Sequence, residues 1–262
     1  MKTIGIIGGM SYESSIHYYE RINDQVNEKA GGLTCARMLI YNVNFEEIRK
    51  LMLENKWNDI GKELAKIAKI LEVAGADYIV VATNTMHKLA DYIQSQISIP
   101  LIHIADCVSD KCKQNNVSNV GLIGTKYTMV EDFLKSRLNK NGLSVTTPES
   151  EESINEIDRI IFDELCKGII KNSSKKYYVD VINNMIKKNN IKGIILGCTE
   201  IEMLIKPEDL NIPIFDTTQS HIDSIVDYSL EIKTGFQKEM ESKQKTQEFI
   251  ITNKHTKMKN RC

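Results

Sequence analysis

Two segments hold the residues best suited to chemistry. The apolar run YIVVA ends in Thr83-Asn84-Thr85, and the run GIILG ends in Cys198-Thr199-Glu200. In each, a small side chain with a transferable hydrogen closes the run, and hydrogen-bonding residues follow before a helical pattern. Taken singly, a threonine at a strand end reads as a helix cap and a cysteine after a strand as a small buried residue. Taken as a pair facing one another, they are two proton carriers, one able to take a proton from one face of a carbon and the other to return one to the opposite face. Free backbone N–H groups at the following helix starts would suit an anionic carboxylate. The same helix end is expected to draw the Cys198 thiol down from its free value of about 8.5 toward neutrality.

The pairing comes from an internal repeat. IGIIGGMSYES matches VGLIGTKYTM, DYIVVATNTMH matches KGIILGCTEIE, and ISIPLIHIAD matches LNIPIFDTTQ. The offsets hardly drift: 116 from Gly5 to Gly121, 115 from Thr83 to Cys198 and 113 from Pro100 to Pro213. TIGIIG, ARMLIYNV, YIVVAT, PLIHI, NVGLIG, LSVTT, KGIILG and IPIF read as strands, buried on both faces. Between them, helical patterns run over 14–28, 57–74, 86–96, 131–141, 154–167, 175–188 and 220–231. The alternation predicts an α/β fold. Two similar domains with mostly parallel sheets are expected, related by a pseudo-twofold axis, with the active site in the cleft between them. Ligand crevices in such sheets lie beyond the carboxyl ends of the strands. The expected division is 1–98 plus 212–232 for the first domain and 99–211 for the second. Residues 233–262 carry eight Lys/Arg and three Asp/Glu and few apolar residues, the pattern of a mobile C-terminal tail.

Composition removes several classes of function. With 262 residues, 42% hydrophobic, and a net charge of −1, the chain has the balance of a globular protein, without the basic excess of a nucleic-acid binder. No apolar stretch approaches the roughly 20 residues of a membrane span, and the N-terminal apolar run is broken early by Gly8 and Gly9, so a cytoplasmic location is expected. The six cysteines form no CxxC pair and no zinc-ligand spacing, so neither disulfides nor a metal site is expected. GIIGG is not a dinucleotide fingerprint, because Gly5, Gly8 and Gly9 have the wrong spacing and the second strand ends in YNVN without a ribose-binding acid.

The segments IGIIGGMSYESSIHYYERIN, VVATNTMHK, GLIGTKYTM, IFDELCKG and ILGCTEIEMLI resemble the aspartate/glutamate racemase family, the cofactor-independent group that includes hydantoin racemases. GGMS, NTMH and GCTE place the resemblance in the aspartate branch. It covers residues 1 to about 230. The resemblance implies no cofactor, a small acidic amino-acid substrate, a homodimer, and a catalytic pair at Thr83 and Cys198. The family usually has cysteine where Thr83 stands; some members of this branch look similar in carrying threonine. Because the second-half cysteine works on the L-enantiomer in the family, retention of Cys198 implies that the L-substrate is favoured. Met10 and Ser11 stand in the family's substrate-contacting turn. Asn84, Thr85 and Thr199 would donate to the α-carboxylate and its developing charge. Arg49 and Lys167, with Met52 as a neighbour, stand where a distal carboxylate is bound. His87 and Glu200 follow the catalytic loops, placed to tune protonation or to cap helices, with capping expected of His87. Two other readings belong to the same sequence: a decarboxylase or isomerase of the superfamily acting on a small diacid, and an amino-acid-binding relative silenced by the threonine.

Overall fold

A computed structural model describes residues 1–232; the expected tail, 233–262, lies outside the described residues. Strands β1 (Ile4–Gly8), β2 (Met38–Asn42), β3 (Tyr78–Val81) and β4 (Leu101–Ile102) form one sheet in the order β2-β1-β3-β4. Strands β5 (Asn119–Gly124), β6 (Ser144–Thr146), β7 (Gly193–Gly197) and β8 (Ile214–Asp216) form a second in the order β6-β5-β7-β8. All six pairings are parallel. The second order is the first advanced by four strands, so the repeat in the sequence is a repeat of topology. β1, β3 and β7 are buried along their whole length, which is why they read as unbroken apolar runs.

The helices of the first half are α1 (Tyr12–Ala30), α2 (Phe45–Leu53), α3 (Trp57–Val73) and α4 (Ala90–Gln96). After β4 come α5 (Ile104–Gln114), α6 (Lys126–Val130), α7 (Asp132–Lys140), α8 (Glu151–Asp163), α9 (Asn172–Asn189), α10 (Ile201–Leu204) and α11 (Thr217–Ser229). α1 buries Ser14, Tyr18, Ile22 and Val26, a spacing of four that lays one stripe on the sheet. α8 begins three residues before its expected start because the Ser150 hydroxyl accepts the Ser153 N–H at 3.1 Å. It ends at Asp163, and Leu165–Lys167 form a separate 3₁₀ turn. A 3₁₀ turn over Thr85–Leu89 likewise precedes α4.

The strand pairings move both domain boundaries. β4 pairs with β3 and β8 with β7, so each proline-led strand completes the sheet before it, whereas breaks at 98 and 211 would have given each to the other half. The helices that follow make the crossing. α5 leaves β4 and buries Ile104, Val108 and Cys112 with Val120 and Leu122 of β5. α11 leaves β8 and buries Ile222, Ile225 and Val226 with Ile4, Tyr78 and Val80 of the first sheet. Each half therefore holds a helix that starts from the other half's edge strand.

Candidate active site

Both halves aim the carboxyl ends of their central strands at one cleft. After β1 the chain turns at Gly9, whose φ is +90° and where a Cβ would lie 2.4 Å from the Val43 carbonyl oxygen. Only glycine fits that turn. It delivers Met10 and then Ser11, which caps α1 by accepting the Ser14 N–H at 3.3 Å. The matching loop after β5 delivers Thr125, whose hydroxyl lies 3.1 Å from that of Thr128 and 3.4 Å from that of Thr85. β3 and β7 end in the two loops carrying Thr83 and Cys198.

Met10, Ser11, Met52, Thr83, Asn84 and Thr85 line the cleft from the first half, and Cys198, Thr199 and Glu200 from the second. Its free volume is ≈ 50 Å³. A water needs roughly 10–15 Å³ on such a measure, so the cleft as it stands has room for a few waters.

Glu200 organises the second-half loop. Its Oε2 accepts the Cys198 S–H at 2.9 Å and the Thr199 hydroxyl at 2.6 Å, and its Oε1 accepts the Ser11 hydroxyl from the first half at 3.1 Å. Burial, and then the Glu200 charge, push the Cys198 thiol well above its ordinary value. This reverses the expectation of a thiol drawn toward neutrality. The helix behind it, α10, has only four residues and contributes little dipole, whereas the carboxylate is in direct contact. At rest Cys198 is a thiol with a base attached.

In the first-half loop, the Asn84 Nδ2 donates to the Thr217 hydroxyl at 3.0 Å, which donates to the Leu196 carbonyl at 2.8 Å. Its Oδ1 is buried and has no partner among the described residues. Asn84 was expected to offer a donor; what it has free is an acceptor. His87, expected as a cap, instead sets its Nδ1 2.8 Å from the Thr83 carbonyl oxygen.

The profile of the Asp/Glu/hydantoin racemase family matches residues 7–225. The chain belongs to this family. It is similar to a candidate Asp/Glu racemase of known structure from Yersinia pestis, at 43% identity and a TM-score of 0.83, over 88% of this chain and 100% of that one. An aspartate racemase homologue from Pyrococcus horikoshii is 36% identical with a TM-score of 0.78 over the same shares. The broad specificity amino-acid racemase RacX of Bacillus subtilis is 20% identical over 82% of this chain and 92% of its own.

Two residues that the racemase resemblance pointed to are not brought into the cleft. Arg49 is exposed and has no ion pair among the described residues; it lines an outer chamber of ≈ 430 Å³ that shares Phe45, Met52 and Phe162 with the cleft. Lys167 is exposed, lies 3.4 Å from Asp163, and faces an adjoining hollow with Tyr12, Glu13 and His17 that shares Cys166, Thr199 and Glu200 with the cleft. Among the described residues, Glu200 is the one charged side chain lining the cleft itself. Conversely, Phe45, Met86, Thr125, Ile161, Phe162 and Cys166 line it without having been singled out. Thr125 had a signal, since its loop is the repeat partner of the glycine turn. The apolar ones had none, because an apolar wall of a cleft and a core residue are the same residue types.

Proposed function

We propose that the protein is a cofactor-independent racemase that interconverts L- and D-aspartate or glutamate by proton transfer between Cys198 and Thr83. The observation that carries this is that the two repeat-equivalent strand ends place these residues on one cleft, with a base hydrogen-bonded to the thiol. Glu200 accepts the thiol proton, and the thiolate removes the α-proton of the L-substrate. Thr83 then delivers a proton to the opposite face, directly or through water, and the proton held by Glu200 returns through solvent to restore the Thr83 hydroxyl. Both carriers are side chains, so the reaction as written needs no cofactor. The acceptor left free on Asn84 suits the substrate ammonium, while Thr85, Thr125 and Thr199 offer hydroxyls to the α-carboxylate. An acidic substrate is supported by the two relatives at 43% and 36% identity.

A hydroxyl is a much weaker acid than a thiol, so abstraction from the D-enantiomer is the harder direction. The equilibrium ratio is unaffected; the inequality belongs to the separate kcat and KM values. Proton exchange in deuterium oxide, followed by NMR alongside optical inversion, tests the scheme. Cys198→Ser should reduce L-substrate exchange by several orders of magnitude, on the scale of lost acid–base catalysis of about 10²–10⁴. Thr83→Ala should keep exchange and lose inversion. Inversion by Thr83→Ala at the wild-type rate would sink the two-base assignment.

A further inference from the structure

The half-buried Thr83 owes its placement to a histidine outside the cleft. His87 is buried, one turn after Thr83, and does not line the cleft. Its Nε2 lies 3.2 Å from the backbone N of Ile104, a group that only donates. Nε2 is therefore the bare ring nitrogen, Nδ1 carries the proton, and Nδ1–H donates to the Thr83 carbonyl 2.8 Å away. Burial holds the ring neutral, with its pKa lowered to about 4. The Thr83 N–H is itself bonded to the Val81 carbonyl at 2.9 Å. Both backbone ends of Thr83 are thus fixed, one by its own strand and the other by His87.

The far end of this chain matters as much. Ile104 is the first residue of α5, which carries the polypeptide from the first sheet into the second half's core. His87 consequently ties the Thr83 loop to the interdomain crossing. The other loop is held differently: the position equivalent to His87 is Glu202, which pairs across the halves with Arg21 of α1, and the Cys198 carbonyl accepts a backbone N–H, that of Ile201 at 3.3 Å, with no ring behind it.

We propose that His87 is a positioning residue for the Thr83 half of the reaction, linking the placement of the Thr83 hydroxyl to α5 at the crossing between the halves. The proposal rests on the two-base reading. His87→Gln reaches the Nε2 position and can keep the acceptor for Ile104 while losing the donor to Thr83; His87→Asn keeps a donor at the Nδ1 position and loses the acceptor. The experiment measures, for both variants, inversion and L-substrate α-proton exchange, with thermal unfolding as a check on folding. In His87→Gln, inversion should fall by about 10²-fold, the scale of a small misplacement of a reacting group. Exchange, which needs only Cys198 and Glu200, should stay within a factor of about 3, and KM should hold. His87→Asn should recover part of the inversion rate. Parallel loss of exchange and inversion, or unchanged inversion in His87→Gln, would overturn the proposal. A second measurement does not depend on activity or on a folded variant: ¹⁵N NMR of the wild-type ring should show Nδ1 protonated, and an Nε2–H tautomer would equally overturn it. If the wild type neither exchanges nor inverts acidic amino acids, the two-base reading fails first, and with it the proposed role, while the tautomer measurement still decides the hydrogen bond.

Discussion

The 2.9 Å contact between the Cys198 thiol and the Glu200 carboxylate fixes the chemistry available at rest. Burial and the neighbouring carboxylate hold the thiol protonated, so in the proposed reaction it becomes a base only by handing its proton to that carboxylate. Glu200→Gln removes the acceptor while leaving a side chain of the same length for Thr199 and Ser11 to meet. L-substrate exchange should fall by about 10²–10³-fold, and the residual rate should climb with pH, as solvent base replaces the carboxylate. A wild-type rate with a flat pH profile would show that Glu200 only braces the loop. The distal carboxylate poses a different problem, since no cation lines the cleft among the described residues. Lys167 has only an exposed pairing with Asp163 to give up, worth about 0–1 kcal/mol, so recruiting it to a bound diacid is cheap. Lys167→Ala should therefore raise KM for aspartate and glutamate several-fold with kcat and melting temperature nearly unchanged. An unaltered KM would leave Arg49, on the outer chamber, as the better candidate.

At the level of elements, the turn after β1 is the most exacting. Gly9→Ala puts a Cβ 2.4 Å from a carbonyl oxygen at a positive φ, and the neighbour is backbone, so it cannot swing aside. The expected cost is at least about 1–3 kcal/mol, read as a drop of about 2–4 °C per kcal/mol in the melting temperature. Activity should fall further than stability, since Met10 and Ser11 ride on the turn. An alanine variant with wild-type melting and turnover would contradict this geometry. The strands were legible because a parallel strand covered on both faces leaves an unbroken apolar run, and the repeat gave each one a second copy. α5 was not. IPLIHIADCV runs without a breaker from β4 into a helix that is itself buried almost all round, and the boundary is marked only by His103, whose ring accepts the Ala105 N–H at 3.1 Å. Histidine is an uncommon cap, so nothing in the sequence marks where β4 ends and α5 begins. α2 was missed for the opposite reason: it buries only Ile48 and Met52, too few positions to show a period. That Thr83 and Cys198 share a cleft could be read because they stand at matched positions of the repeat. The direct contact of Glu200 with the thiol could not, because spacing does not reveal which way a carboxylate turns.

For the whole molecule, the crossing between the halves is built on three buried histidines. His87 stands behind Thr83, His103 begins α5 and His221 lies within α11; the His87 ring centroid is 4.6 Å from that of His103 and 5.7 Å from that of His221. His87 and His221 have both ring nitrogens hydrogen-bonded: Ile102 O lies 3.1 Å from His221 Nε2, and Tyr18 Oη lies 2.9 Å from its Nδ1. Burial lowers all three, to about 4 for His87, about 3 for His221 and well below the usual range for His103. In the unfolded chain each titrates near 6.5. As pH falls below about 6.5, the unfolded state takes up protons that the folded state refuses, and stability declines until the folded values are reached. Of the acidic groups with shifted values, Asp106 and Asp216 have the largest shifts. Asp106, held low by Arg137 and Asn141, adds to acid loss only below its own unfolded value of about 4. Asp216, raised by burial and by Glu202 to about 7, acts in the other direction, since the folded state takes up its proton first. Three groups oppose one between pH 6.5 and 4, so the balance favours destabilisation on acidification, on the order of 1 kcal/mol per pH unit for each uncompensated proton. Melting temperature should therefore fall steadily from pH 7 to pH 4.5 at constant ionic strength. Calorimetry at pH 5.5 in buffers of different ionisation enthalpy should show net proton uptake on unfolding. A flat melting profile with no uptake would mean that the histidines are solvated, and that the crossing is looser than its hydrogen bonds imply.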